Sequence, residues 1–328
     1  MEAIAKQLPP IHRAGFEYQF SHPERGLDFQ QGILTTANDY SRLTWKSGTD
    51  VTSFLGPIQK MSFEALRENS TISQCIKQIW LEFDSGLVTA LKSPSVFLGL
   101  QYPLTQSPLA CDGVRDAYRM LTGRPMCTET ALTMGEILRV ATELKGVSHA
   151  GFMLGRKHEG LRLVLPICSK PDSIRLLFGQ LKPQNEFASV EHVYEQVRNT
   201  FPDIRLCIDI HRNQIFATSL ECFFRPMEPD SNIEANEKAA LKQLVDIGLC
   251  SSGERDALLG WVGELFPQTH INNWPEDLIL TSLTAPENHF SRIETGLSHI
   301  KVNAQTSQQT HAKVYFGYRE SCLVRNQK

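Results

Sequence analysis

Residues 298–304 read SHIKVNA and residues 312–319 read AKVYFGYR, so Ile300, Val302, Val314, Phe316 and Tyr318 alternate with His299, Lys301, Lys313, Tyr315 and Arg319. A period of two that sorts apolar from ionisable side chains marks a strand with one buried face, and two such runs joined by a short polar stretch make a hairpin. The same division recurs along the chain. Ile79, Leu81 and Phe83 alternate with Trp80, Glu82 and Asp84; Leu161, Leu163 and Leu165 flank Arg162; Leu206, Ile208 and Ile210 alternate with Arg205, Cys207, Asp209 and His211; Leu220, Cys222 and Phe224 alternate with Ser219, Glu221, Phe223 and Arg225. Hairpins of this kind need other elements to cover their apolar faces.

Alternation predicts strands at 15–20, 78–84, 95–102, 148–155, 160–166, 204–211, 216–225, 297–303 and 312–319, with a weaker tenth at 31–37. Helical periodicity predicts helices at 62–74, 108–122, 129–145, 171–181, 190–200, 233–249 and 253–265, with starts marked by Pro171-Asp172-Ser173 and Ser251-Ser252-Gly253-Glu254. His158-Glu159-Gly160 and His211-Arg212-Asn213-Gln214 read as hairpin turns, and 226–232 and 267–275 as loops between elements. The helices are amphipathic, so they cover the apolar strand faces and leave the polar faces on the other side. In an open sheet that side meets solvent; in a closed sheet it lines a lumen wide enough for a ligand. Trp80, Phe97, Phe223 and Tyr315 share the charged face, which favours a chamber. The expected fold is α+β: an antiparallel β-barrel of about ten strands, built from repeated α-β-β-α units with the helices outside. One domain over residues 1–328 is the economical division, and the alternative boundary falls at 125–130.

A net charge of −3 with 41% hydrophobic and 21% charged residues gives no general attraction to nucleic acid or anionic membrane. No signal-peptide pattern and no run approaching 18 apolar residues is found, so a soluble cytoplasmic protein is expected. The eight cysteines are scattered without metal-ligand spacing and read as reduced thiols, those at 207 and 222 as small buried side chains. His149 reads as a satisfied strand residue rather than a base, and Arg156 and His158 as decoration of a turn. GxGxxG after a strand, the Walker loop, HExxH and GxSxG are all missing, so nucleotide-binding, zinc-protease and hydrolase-elbow readings lack their motifs.

A helix-strand-strand-helix unit repeated about five times, with Lys313-Val314-Tyr315 and the Lys301 strand on the inner face, resembles the ABBA or PT-barrel fold of soluble aromatic and peptide prenyltransferases. That resemblance implies transfer of a prenyl group from an allylic diphosphate to an aromatic or peptide side-chain acceptor, with Mg²⁺ as a possible companion of the diphosphate and no resident metal. It implies diphosphate binding by Lys301, Lys313, Tyr315, Arg162 and Arg205, and an acceptor-side base at Glu82 or Glu17. Trp80, Phe97, Asp209, Glu221 and Phe223 would contact the substrates. Segments such as IWLEFD with SVFLGL, GLCSSGERDALLGW, and HIKV with AKVYFGY are also similar to uncharacterised bacterial proteins encoded near ribosomal-peptide, especially lanthipeptide-type, modification enzymes.

The inner faces depart from a plainly cationic diphosphate site, because Glu17, Glu82, Asp84, Asp209 and Glu221 accompany Arg162, Arg205, Lys301, Lys313 and Arg319. Two arrangements satisfy that balance: a cationic half for diphosphate beside an anionic half for an acceptor amine, guanidine or indole N–H, or structural ion pairs across the barrel. The competing functions are a non-catalytic module that binds a peptide or its leader, and a cofactor-free acid-base enzyme working through Glu82, Asp84 or Asp209. Raised carboxylate pKa values would favour the second of these.

Overall fold

The computed structural model describes residues 13–22, 24, 26–34, 52–67, 69–84, 94–101, 108–144, 146–154, 160–167, 171–183, 187–224, 233–270, 274, 278–279, 289–303 and 311–324. Arg156, His158 and the predicted loop at 226–232 lie outside them. In chain order the strands are β1 (Arg13–Gln19), β2 (Leu27–Leu34), β3 (Ile76–Phe83), β4 (Ser95–Leu100), β5 (His149–Phe152), β6 (Leu161–Ile167), β7 (Asp203–His211), β8 (Gln214–Phe223), β9 (Gly263–Leu265), β10 (His289–Asn303) and β11 (Ala312–Val324). The helices are α1 (Thr52–Leu66), α2 (Thr71–Cys75), α3 (Pro108–Thr122), α4 (Thr128–Ala141), α5 (Pro171–Leu181), α6 (Phe187–Val197), α7 (Ile233–Asp246), α8 (Ser252–Trp261) and α9 (Pro267–His270).

Every strand pairing is antiparallel, in the order β11-β1-β2-β3-β4-β5-β6-β7-β8-β10, and β10 pairs in turn with β11. The expected ten-strand barrel is therefore closed, and β9 is added alongside the N-terminal half of β10. A pair of helices separates each hairpin from the next, from α1–α2 before β3–β4 to α7–α8 before β10–β11. The outward strand residues Ile79, Leu81, Leu98, Ala150, Leu163, Ile208, Leu220, Ile300 and Val314 are fully buried, as are Met61, Val114, Ala117, Ile137, Val190, Tyr194 and Leu241 on the helices. The apolar core thus lies between barrel and helices, which leaves the inner face to polar groups.

Several boundaries move, each for a physical reason. The helix expected at 62–74 is two helices, because Asn69 takes a left-handed conformation (φ 65°) and Ser70 caps α2 through its side chain. The strand expected at 31–37 is β2, beginning at Leu27. The helix expected at 253–265 stops at Trp261, since 263–265 pair with Thr295, Glu294 and Ile293 of β10. The strand expected from 297 begins at His289, drawn out by pairing with β11 and β9. The strand at 148–155 shortens to four residues, and 267–275 opens on the turn of α9.

The expected start of α8 holds. Ser251 and Glu254 form a capping box, and Glu254 also accepts from the Tyr18 hydroxyl (3.1 Å) and the Ser21 amide (2.8 Å), which ties α8 to the end of β1. Arg212, at φ 57°, takes the left-handed position of the two-residue β7–β8 turn. Cys207 and Cys222 are buried and form no disulfide, and among the described residues no helix is long and apolar enough to cross a membrane.

Candidate functional site

The pairing registers carry one set of side chains around the whole inner face. From Glu17 on β1 the set runs through Gln30 on β2, Trp80 and Glu82 on β3, Phe97 on β4, His149 and Gly151 on β5 and Arg162 on β6. It continues through Arg205, Cys207 and Asp209 on β7, Ser219, Glu221 and Phe223 on β8, His299 and Lys301 on β10, and Lys313 and Tyr315 on β11. All twelve side chains singled out from the sequence as site residues therefore share this lumen. A β-bulge in β10 between Leu297 and His299 shifts the alternation there and turns His299 inward.

Trp80 and Phe97 are cross-strand partners, and each lies along the wall over a glycine. A Cβ on Gly32 would stand 2.9 Å from the Trp80 ring, and one on Gly151 would stand 2.5 Å from the Phe97 ring. Only the missing side chains at these two positions let the aromatic rings lie against the wall.

On the far side of the barrel four flat groups stack in series. The Arg205 guanidinium sits 3.9 Å from the centroid of the Phe223 ring; Phe223 stacks on His299 (4.7 Å, 24°), and His299 on Tyr315 (4.1 Å, 10°). His299 was the residue that sequence reasoning left out. Alternation placed it on the polar face, but its place between two rings follows from the β8–β10–β11 register.

The charged groups are paired along the wall rather than across the lumen. Arg162 grips Asp209 through two hydrogen bonds of 2.6 and 2.8 Å, and Arg205 grips Asp203 through two of 3.0 and 2.6 Å. Lys301 lies 3.5 Å from Glu221, whose other contact is the Cys207 thiol at 3.2 Å. Lys301 and Lys313 stand directly opposite each other, and Lys313 donates to Glu17, a carboxylate that also accepts from Tyr315. Gln30 donates to Glu82 at 2.9 Å. Ion pairs are therefore formed, but within a strand or between neighbouring strands rather than across the barrel as expected, with Glu17 and Glu82 held among donors.

Burial pushes the Glu221 carboxyl up, but the charge of Lys301 together with the other neighbouring groups carries the pKa down to about 2. Glu17 and Asp209 are also lowered: burial opposes ionisation, but the charge and hydrogen bond of Lys313 prevail at Glu17 with the help of Tyr315 and Lys301, and those of Arg162 prevail at Asp209 with the help of Lys301. Burial and nearby cations depress His149 and His299 to about 4, so both imidazoles are neutral. Burial raises the Cys207 thiol to about 12, far from a nucleophile's range.

A pH dependence of stability follows. In the unfolded chain an imidazole titrates near about 6.5, so below that pH the unfolded state binds protons that folded His149 and His299 refuse, and stability falls between about pH 6.5 and 4. Glu221 extends the loss from about pH 4.5 towards 2, because there the folded state resists protonation. Urea midpoints measured from pH 7.5 to 4.5 will decline, and His299→Phe, which keeps the stack, will recover on the order of 2 kcal/mol of that decline. An unchanged slope in His299→Phe would mean the imidazole is not held neutral.

No family model and no curated protein matches this sequence. Among solved structures, 5-dimethylallyltryptophan synthase from Streptomyces coelicolor aligns over 92% of this chain and 79% of its own, at 11% identity and a TM-score of 0.45. Prenyltransferase PriB, in ternary complex with L-tryptophan and dimethylallyl thiolodiphosphate, aligns over 92% of this chain and 78% of its own, at 10% identity and a TM-score of 0.46. AnaPT from Neosartorya fischeri aligns over 93% and 77%, at 14% identity and a TM-score of 0.44.

Proposed function

We propose that the protein is a prenyltransferase of one ABBA-like barrel domain, acting in the cytoplasm. It moves a prenyl group from an allylic diphosphate to an aromatic or peptide side-chain acceptor in natural-product biosynthesis, including ribosomal-peptide modification. The observation that carries the reading is the convergence, in one closed lumen, of Lys301, Lys313, Tyr315 and Arg205 with a stacked aromatic wall and two buried carboxylates, Glu17 and Glu82.

Departure of diphosphate from an allylic carbon places growing negative charge on oxygen, and Lys301, Lys313, Arg205 and Arg162 answer it with charge-assisted N–H donors. Tyr315 adds an O–H. The carbon left behind carries positive charge, which Phe223, Trp80 and Phe97 stabilise through their ring faces while excluding water; such a contact is worth about 0.5–2 kcal/mol each. Asp209 and Glu221 hold Arg162 and Lys301 in the wall. The acceptor loses its proton to the carboxylate of Glu17 or Glu82.

Among the described residues, no group of three His, Cys, Asp or Glu side chains is placed to hold a metal ion. No step here is routed through a metal ion.

The pairing of each of these cations with a carboxylate favours a second reading, a non-catalytic module that holds a peptide or leader. The acid-base alternative through Glu82, Asp84 or Asp209 draws no support from Asp209, whose carboxyl is lowered rather than raised, burial being overcome by Arg162 with other neighbouring groups. Calorimetric titration with dimethylallyl and geranyl thiodiphosphate, with and without Mg²⁺, separates the two main readings. Micromolar binding that disappears in Lys301→Ala/Lys313→Ala is expected. Absence of binding, with peptide affinity indifferent to the two lysines, would replace the transferase by the module.

A further inference from the structure

We infer that Lys313 is a cation shared between Glu17 and the donor's diphosphate, so that donor binding is what releases Glu17 to act as the base. The inference rests on the proposed function. Lys313 donates to Glu17, and Tyr315, the register partner of Glu17 across β1 and β11, donates to the same carboxylate. Glu17 is 4% exposed, whereas the Lys313 side chain is 38% exposed, so the carboxylate is fixed and the cation has room to move. Lys301, directly opposite on β10, is tethered in the same way to Glu221 on the flanking strand β8. The β10–β11 hairpin thus presents two lysines facing one another, each restrained by a carboxylate from a neighbouring strand.

Two like charges placed opposite each other are drawn towards an anion between them. A diphosphate carries several charges to the single charge of Glu17, and it engages both lysines together. Once Lys313 and Tyr315 turn to the diphosphate, Glu17 remains buried without its counter-ion, and its affinity for a proton rises. The step then balances. The allylic C–O bond breaks and leaves its electron pair on the diphosphate, an electron pair of the acceptor forms the new bond to carbon, and the acceptor's proton passes to the Glu17 carboxylate. This makes Glu17, rather than Glu82, the base coupled to the donor.

Inorganic pyrophosphate is the probe, titrated calorimetrically into wild type, Glu17→Gln, Lys313→Met and the double variant. Removing the competing carboxylate charge will tighten pyrophosphate binding about tenfold in Glu17→Gln, and the gain will vanish when Lys313 is also changed. Glu17→Asp, which keeps the charge but shortens the reach to Lys313, will fall between and serves if Glu17→Gln does not fold. Equal or weaker binding by the Glu17 variants would overturn the sharing while leaving the transferase reading intact. Pyrophosphate ignored by all of these proteins would overturn both.

Discussion

Gly317→Ala is expected to open the barrel. Gly317 lies where β11 is flanked by Gly15 of β1 and Gly296 of β10, in the seam that joins the two ends of the sheet. A Cβ at position 317 would stand 2.8 Å from the Cα of Gly15, and closer still to the carbonyl oxygen of Ala14. These are backbone atoms, so no rotamer change relieves the overlap; β1 must move away from β11 and give up ladder hydrogen bonds. The Trp261 indole, which donates to the Gly317 carbonyl at 3.3 Å, would be displaced as well. The expected cost is about 4 kcal/mol or more, a fall in Tm of about 6 °C or more. Gly15→Ala is the control: its new methyl would find its nearest neighbour at 3.4 Å, the end of the Gln30 side chain, and should cost far less. Thermal unfolding of the two variants decides the matter, and similar Tm values would show that the seam yields at little cost.

Arg162→Ala is the second large effect. Arg162 and Asp209 face each other across β6 and β7 with side chains only 12% and 18% exposed, and the guanidinium fork meets both carboxylate oxygens. Removing the arginine leaves Asp209 buried without the cation that grips it, a loss of about 3–5 kcal/mol. Arg162→Met combined with Asp209→Leu removes both charges and should recover most of it, since a matched apolar pair avoids the desolvation penalty. Denaturant midpoints of the single and double variants give the comparison. A double variant no more stable than Arg162→Ala would mean that the pair does more than neutralise itself, for instance by shaping the lumen.

Both predictions turn on features that were legible to different degrees in the sequence. The inward and outward sets on β3, β6, β7, β8 and β11 follow from alternation, because successive side chains on a strand must point to opposite faces. β2 was weakly marked: Gln31, 1% exposed on the outer face, breaks the pattern. The N-terminal half of β10 was missed because its strand state comes from its neighbours. β9 was hidden within a helical period, and pairing to β10, with Glu264 2.5 Å from Arg292, pulls it out of the helix.

The sequence by itself determined which side chains share a face, that helices must cover the apolar side, and that charged and aromatic residues are left together on the other. These are consequences of backbone period and local hydrophobicity, carried within a few residues. Barrel closure was decided only in the tertiary structure, where β11 meets β1 across nearly the whole chain and Lys313 finds Glu17 296 positions away. The partner of each cation, and the stack that encloses His299, were also decided there. Such contacts depend on the register of distant strands and on a bulge in β10, quantities that no local period encodes, because they are set by how the whole sheet closes on itself.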